Sequence, residues 1–153
     1  MGTRRLGFSA FMTAAYARLR AALPPPPATI YVFYNYVPRG ATMPYHVIGQ
    51  PLGRESLSFN TRDTEAEELV IQIDSWVDET SGKGDKPCAD MMDEIVWAMT
   101  DATVPFTIIG TPTHYDNPYL LFLDFANILK DDTEPGKIIR HGTLRFRAET
   151  APK

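Results

Sequence analysis

A single cysteine, Cys88, and three histidines on separate segments leave this chain short of the residues that build disulfide frameworks and zinc sites. One cysteine excludes an internal disulfide and fits a reducing compartment. His46, His114 and His141 show no i, i+4 helical spacing, so a zinc site would need ligands gathered from distant elements. Long apolar runs are lacking too: the longest, Tyr119 to Phe125, is broken by Asp124 and falls far below the roughly 20 residues of a membrane span. An excess of positive charge is also missing. Lysine and arginine number 15 against 19 aspartates and glutamates, for a net charge of −4, which argues against nonspecific DNA binding by the monomer. Phosphate-loop, dinucleotide and nucleophile-elbow motifs are absent, and Gly82-Lys83-Gly84 and Gly110 fit none of them. The acidic group Asp131, Asp132 and Glu134 lacks the alternating ligands of a calcium loop and reads as a solvated turn. These absences leave no catalytic constellation, no cofactor site and no metal site to expect.

What is present is an ordinary globular composition, 44% apolar and 22% charged over 153 residues. That length is one domain's worth of chain, expected to bury roughly two thirds of its unfolded surface. The expected layout is a single domain over 1–153, with its core at about 8–148 and a short flexible C-terminal tail. The beginning is basic and then apolar, as in a secretory leader, but Arg18 and Arg20 interrupt it and four prolines follow. It reads as an amphipathic helix in a protein made in the cytoplasm.

Phe8, Phe11, Met12, Ala15, Tyr16, Leu19 and Leu23 recur at helical spacing, with Ser9 as a candidate N-cap and Pro24 to Pro27 as the stop and a stiff spacer. Thr29 to Phe33 is β-branched and aromatic, a strand, and Tyr45 to Gly49 resumes extended structure. Pro51 to Thr64 is polar and reads as a long hairpin connection. Leu69, Ile71, Ile73 and Val77 alternate with Val70, Gln72, Asp74 and Trp76, a strand with one apolar face. Pro87 opens a second helix, whose Cys88, Met91, Met92, Ile95, Val96 and Met99 form an apolar stripe opposite Asp90, Asp93 and Glu94. This places Cys88 in the core and excludes a catalytic Cys–His pair. After a short apolar piece at Phe106 to Ile109, Tyr119 to Leu129 and Ile138 to Ala148 form a hairpin about the turn Asp131 to Gly136.

The element order predicts an α+β fold in which two helices cover one face of a mostly antiparallel sheet. The other face is then left to solvent or to a partner. Apolar residues on both sides of Tyr119 to Phe125 favour a partner. Trp76 projects from the less apolar side of its strand, as core packing or as an interface anchor. His141, Arg145 and Arg147 share the polar side of the last strand. They are either a solvated face paired with nearby carboxylates or a face that meets an acidic subunit. With Arg39 from the loop at Pro38 to Ala41, these residues are the candidate contacts. The loops 34–44, 51–64 and 79–86 are candidate contact segments.

Val37-Pro38-Arg39-Gly40-Ala41 leading into Pro44-Tyr45-His46-Val47-Ile48-Gly49, and the ending Arg140-His141-Gly142-Thr143-Leu144-Arg145-Phe146-Arg147, are distinctive together. With the helix at Ala14 to Leu19 and the strand ending in Ser75-Trp76, the chain resembles the tail completion family of long-tailed bacteriophages over about residues 8–148. Its members are also called tail terminator or head–tail joining proteins, and gene transfer agents carry similar ones. The resemblance implies a virion protein at the neck, made and assembled in the host cytoplasm. It implies a homohexameric ring that caps the tail tube protein, ends polymerisation and meets the head–tail connector. Genomic DNA would pass through its lumen without specific binding, with no cofactor, no active site and no membrane involved. A head-completion adaptor is the alternative within the same setting, and a small-ligand-binding or enzymatic α+β domain is the alternative from another class.

Overall fold

The computed structural model describes residues 8–23, 30–49, 52–55, 67–80, 82–101, 120–132 and 135–150. In chain order the elements are α1 (Phe8–Ala22), β1 (Tyr31–Tyr34), β2 (Tyr45–Ile48), β3 (Leu52–Glu55), β4 (Glu67–Asp78), α2 (Lys86–Thr100), β5 (Leu120–Asp131) and β6 (Ile139–Thr150). The strands make one open sheet in the order β1-β2-β4-β6-β5, with β3 beside the first part of β4. All pairings are antiparallel except β1 with β2. This is the expected α+β architecture, with both helices on one face.

Period-two patterning decides the faces. Leu69, Ile71, Ile73, Ser75 and Val77 of β4 point into the core, and their register partners Ala148, Phe146, Leu144, Gly142 and Arg140 on β6 point the same way. Phe11, Ala15 and Leu19 of α1 and Leu23 just after it, with Cys88, Met91, Met92, Ile95, Ala98 and Met99 of α2, close over them. Cys88 is fully buried as expected, and burial, helped by the nearby Asp85 charge, pushes its thiol pKa up.

Two expectations are corrected. Ser9 does not cap α1 but lies in its first turn, where its carbonyl accepts the Thr13 hydroxyl. The polar connection expected at 51–64 contains β3, because the free backbone groups along the first half of β4 find partners there regardless of the side chains. Ile48 aligns with Ile73 but Leu52 with Val70, so this edge takes one residue more than β4 does. The faces of β5 change phase at a bulge between Leu123 and Phe125. Leu123 faces Phe146 on the helix side, while Phe125 pairs with Arg145 on the other side. The proline run at 24–27 and the apolar piece at 106–109 lie outside the described residues.

Polar devices hold the layers together. Arg18, read from sequence only as an interruption of the apolar stretch, donates through Nε to the Ala98 carbonyl and through Nη2 to that of Asp101. It thereby ties α1 to the carbonyl-rich end of α2. Glu79 is almost fully buried at the end of β4, where its carboxylate accepts the Gly84 N–H at 2.6 Å and faces Arg140, which also reaches Asp85 at 2.9 Å. Gly142 is where α2 comes closest to the sheet: a Cβ there would lie 2.5 Å from Met92 Sδ and 2.9 Å from Cys88 Sγ.

His46 is fully buried on the core side of β2, with Nδ1 3.0 Å from Ser75 Oγ and Nε2 without a partner among the described residues. Burial lowers its pKa from 6.5 to about 4. The folded state therefore refuses a proton that the unfolded chain accepts below its ordinary value, so stability falls as the pH drops from 6.5 towards 4. At pH 5 the loss is about 2 kcal/mol, from roughly 1.4 kcal/mol per pH unit. Urea unfolding at pH 7 and pH 5 should show that loss in the wild type and a much smaller one in His46→Gln; equal losses would remove His46 as the cause. In the core, Leu19→Asp and Ile95→Asp each bury an unpaired carboxylate and should unfold the chain, losing more than about 3 kcal/mol. An unchanged melting temperature in either would contradict the helix-on-sheet packing.

Candidate interaction surface

The face of the sheet turned away from the helices is covered by no described element. Register carries one row across all five strand positions: Tyr31, Tyr45, Trp76, His141 and Leu129. At about 4.8 Å between strands, the row is roughly 20 Å wide. Trp76 and His141 stack with ring centroids 4.1 Å apart and planes 10° from parallel. Phe33 meets the Tyr45 ring edge-on at 5.7 Å and stacks on Tyr31 at 6.0 Å, which extends the aromatic cover to the β1 edge.

The next row runs through Phe33, Val47, Asp74, Thr143 and Asn127, and its carboxylate is satisfied within the face. Asp74 lies between Val47 and Thr143. Its carboxylate accepts the Thr143 hydroxyl at 2.8 Å and the Gln72 amide at 3.1 Å, and Oδ1 lies 3.1 Å from His141 Nε2. Partial burial pushes the Asp74 carboxyl up, but the hydrogen bonds from His141, Gln72 and Thr143 together outweigh it and hold the pKa below the ordinary carboxylate value. Thr143 donates its proton to Asp74, so its oxygen is not activated by the neighbouring imidazole, and the trio orients His141 rather than arming a nucleophile.

The two arginines expected on this face are both there, in different states. Arg147 Nη1 contacts Glu68 and Nη2 contacts Asp124, each at 3.3 Å. Arg145 lies over the Phe125 ring, 5.5 Å from its centroid, and no described carboxylate pairs with it. The fold thus brings Trp76, His141, Arg145 and Arg147 onto one face through the β4–β6 register. Arg39 is exposed in the loop between β1 and β2, outside this strand-borne group.

Parity along the strands does not place two exposed apolar residues on this face, and it passes over an exposed tryptophan on the far side of α2. Phe125 and Leu129, 44% and 53% exposed, reach the sheet face only because of the bulge. Trp97, 72% exposed on α2, had a visible signal: it follows Asp93 and Glu94 at helical spacing, on the side opposite the apolar stripe. Among the described residues, no three histidines, cysteines or carboxylates gather into a metal-holding group, and no helix is long and apolar enough to cross a membrane.

The arginines' different surroundings give different expectations. Arg147→Glu sets a third carboxylate beside Glu68 and Asp124 and should cost about 2 kcal/mol of folding stability. Arg145→Glu breaks no ion pair and should stay within about 0.5 kcal/mol of the wild type. Urea unfolding of the two variants checks the contrast, and equal losses would mean that the Arg147 bridges contribute nothing.

No family model and no curated protein matches this chain. Among solved structures, a chain from the virion of a native gene transfer agent particle matches at a TM-score of 0.59 and 16% identity, covering 94% of this chain and 96% of that one. A second solved chain, 13% identical, covers 95% of each at a TM-score of 0.48. The first match shows that the two chains share a fold over nearly their whole lengths.

Proposed function

We propose that this chain is a structural virion protein of the tail neck, which assembles as a homohexameric ring, caps the tail tube and joins it to the head connector. The observation that carries this reading is the fold shared with a chain of a gene transfer agent virion, end to end in both partners. The distinctive segments Pro38 to Gly49 and Arg140 to Arg147 support it, since they supply β2 and most of β6. So does the uncovered sheet face. An aromatic row about 20 Å wide beside a cation without a described carboxylate is surface that gains by burial against protein. The partners on this reading are further copies of the chain, the tail tube protein and the connector. Reaction chemistry has no share in this reading, and the group around Asp74 is satisfied within the face by His141, Gln72 and Thr143.

Two measurements test the proposal. Mass determination in solution and in intact particles should give a sixfold ring at the tail; a twelvefold ring would shift the assignment to a head-completion adaptor, and a monomer in both settings would overturn it. Duplex DNA binding by the isolated protein should be weak at physiological salt, because six copies at −4 each repel phosphate on average. Submicromolar binding that weakens steeply as salt rises would contradict a lumen that lets the genome pass without holding it.

A further inference from the structure

We infer that the ring contact is made between the open sheet face of one copy and the outward face of α2 of the next, with Arg145 meeting Asp93 and Glu94, and Trp97 covering Phe125 and Leu129. The inference rests on the ring reading above and supplies what that reading leaves open, the two patches that meet.

Each patch is incomplete in the same way. On the sheet, Asp74 is occupied by His141, Gln72 and Thr143, and Glu68 and Asp124 by Arg147. Among the cations of this face whose side chains are described, Arg145 is left without a described carboxylate, standing over the exposed Phe125. Leu129 lies two same-face positions further along β5 and is also exposed. On α2, Lys86 pairs with Asp90 at 2.7 Å, which leaves Asp93 and Glu94 exposed with no described cation beside them. Trp97 follows one turn later with most of its ring in solvent. One patch therefore offers a guanidinium over an apolar ring, with a second apolar side chain further along the same strand, and the other offers two carboxylates flanked by an indole. Both the charge and the apolar character match.

The occupant is a second copy because one chain carries both halves. They lie on opposite sides of the sheet, so a molecule cannot satisfy itself. Nor can two copies do so by a two-fold contact that joins like patches. Each copy instead uses one half towards each neighbour, the head-to-tail relation that a closed ring requires. A contact of this kind gains from the buried indole and depends on salt through its charges.

Charge reversal in the full-length protein tests the pairing. Arg145→Glu alone, and Asp93→Lys with Glu94→Lys, should each keep the wild-type melting temperature and weaken ring formation by about tenfold or more in sedimentation or native mass measurements. Mixed in equal amounts, the two should form rings of alternating composition, because every contact then joins opposite charges. The triple variant carrying all three changes should form rings by itself, and Trp97→Ala should weaken assembly in any charge background. Rings of wild-type strength from either reversed variant alone, or no rings from the mixture, would overturn the inference while leaving the ring reading intact. A wild type that never forms rings would overturn both.

Discussion

Twelve consecutive residue pairs join β4 to β6, from Glu67 opposite Thr150 to Asp78 opposite Ile139, without a slip. In a pleated ladder, one step of register would exchange every side chain between the faces, so this pairing decides which residues can meet. It sets Ile71 beside Phe146 and Ile73 beside Leu144 under the helices, and by the same alternation Trp76 beside His141 and Gln72 beside Arg145 on the other side. The core locks the register because a slip would expose Leu69, Ile71, Ile73, Leu144 and Phe146 together. The open face is thus held in place by apolar burial on the reverse of the sheet, with little need of contacts of its own.

That arrangement explains why the open face can be so polar at its centre. Its members make bonds that orient them: Asp74 gathers His141, Thr143 and Gln72, and Arg147 spans Glu68 and Asp124. Polar groups satisfied in this way are ready to be covered, because their hydrogen bonds survive the loss of water. The aromatic row lies directly alongside this group.

Much of this was legible in the residues. The helical stripes of α1 and α2, the alternation in β4 and β6 and the hairpin turn all follow from apolar spacing, and each element lies within a few residues of where the pattern put it. Trp76, His141, Arg145 and Arg147 could be assigned to polar faces by parity alone. What parity cannot see is decided across the sheet. The strand at Leu52 to Glu55 carries no apolar alternation and exists because β4 offers it backbone partners. Glu79, a charged residue, is buried because Arg140 and the Gly84 N–H converge on it from elsewhere in the chain. The split between a paired Arg147 and an Arg145 set over an aromatic ring likewise depends on neighbours from β4 and β5.

The bulge between Leu123 and Phe125 has a consequence for how the chain tolerates change over generations. One surplus residue keeps Phe125, Asn127 and Leu129 on the open side and Ala126 and Ile128 on the side of the helices. Exchanges of side chain along this stretch alter one surface at a time, so the outward positions can drift with a changing neighbour while the inward ones stay fixed. Loss of a single residue there would rejoin the strand in phase and invert the whole segment as far as the turn. Related chains should accordingly differ in composition at the outward positions of β5 but keep its length, and gain or lose residues only beyond the ladder.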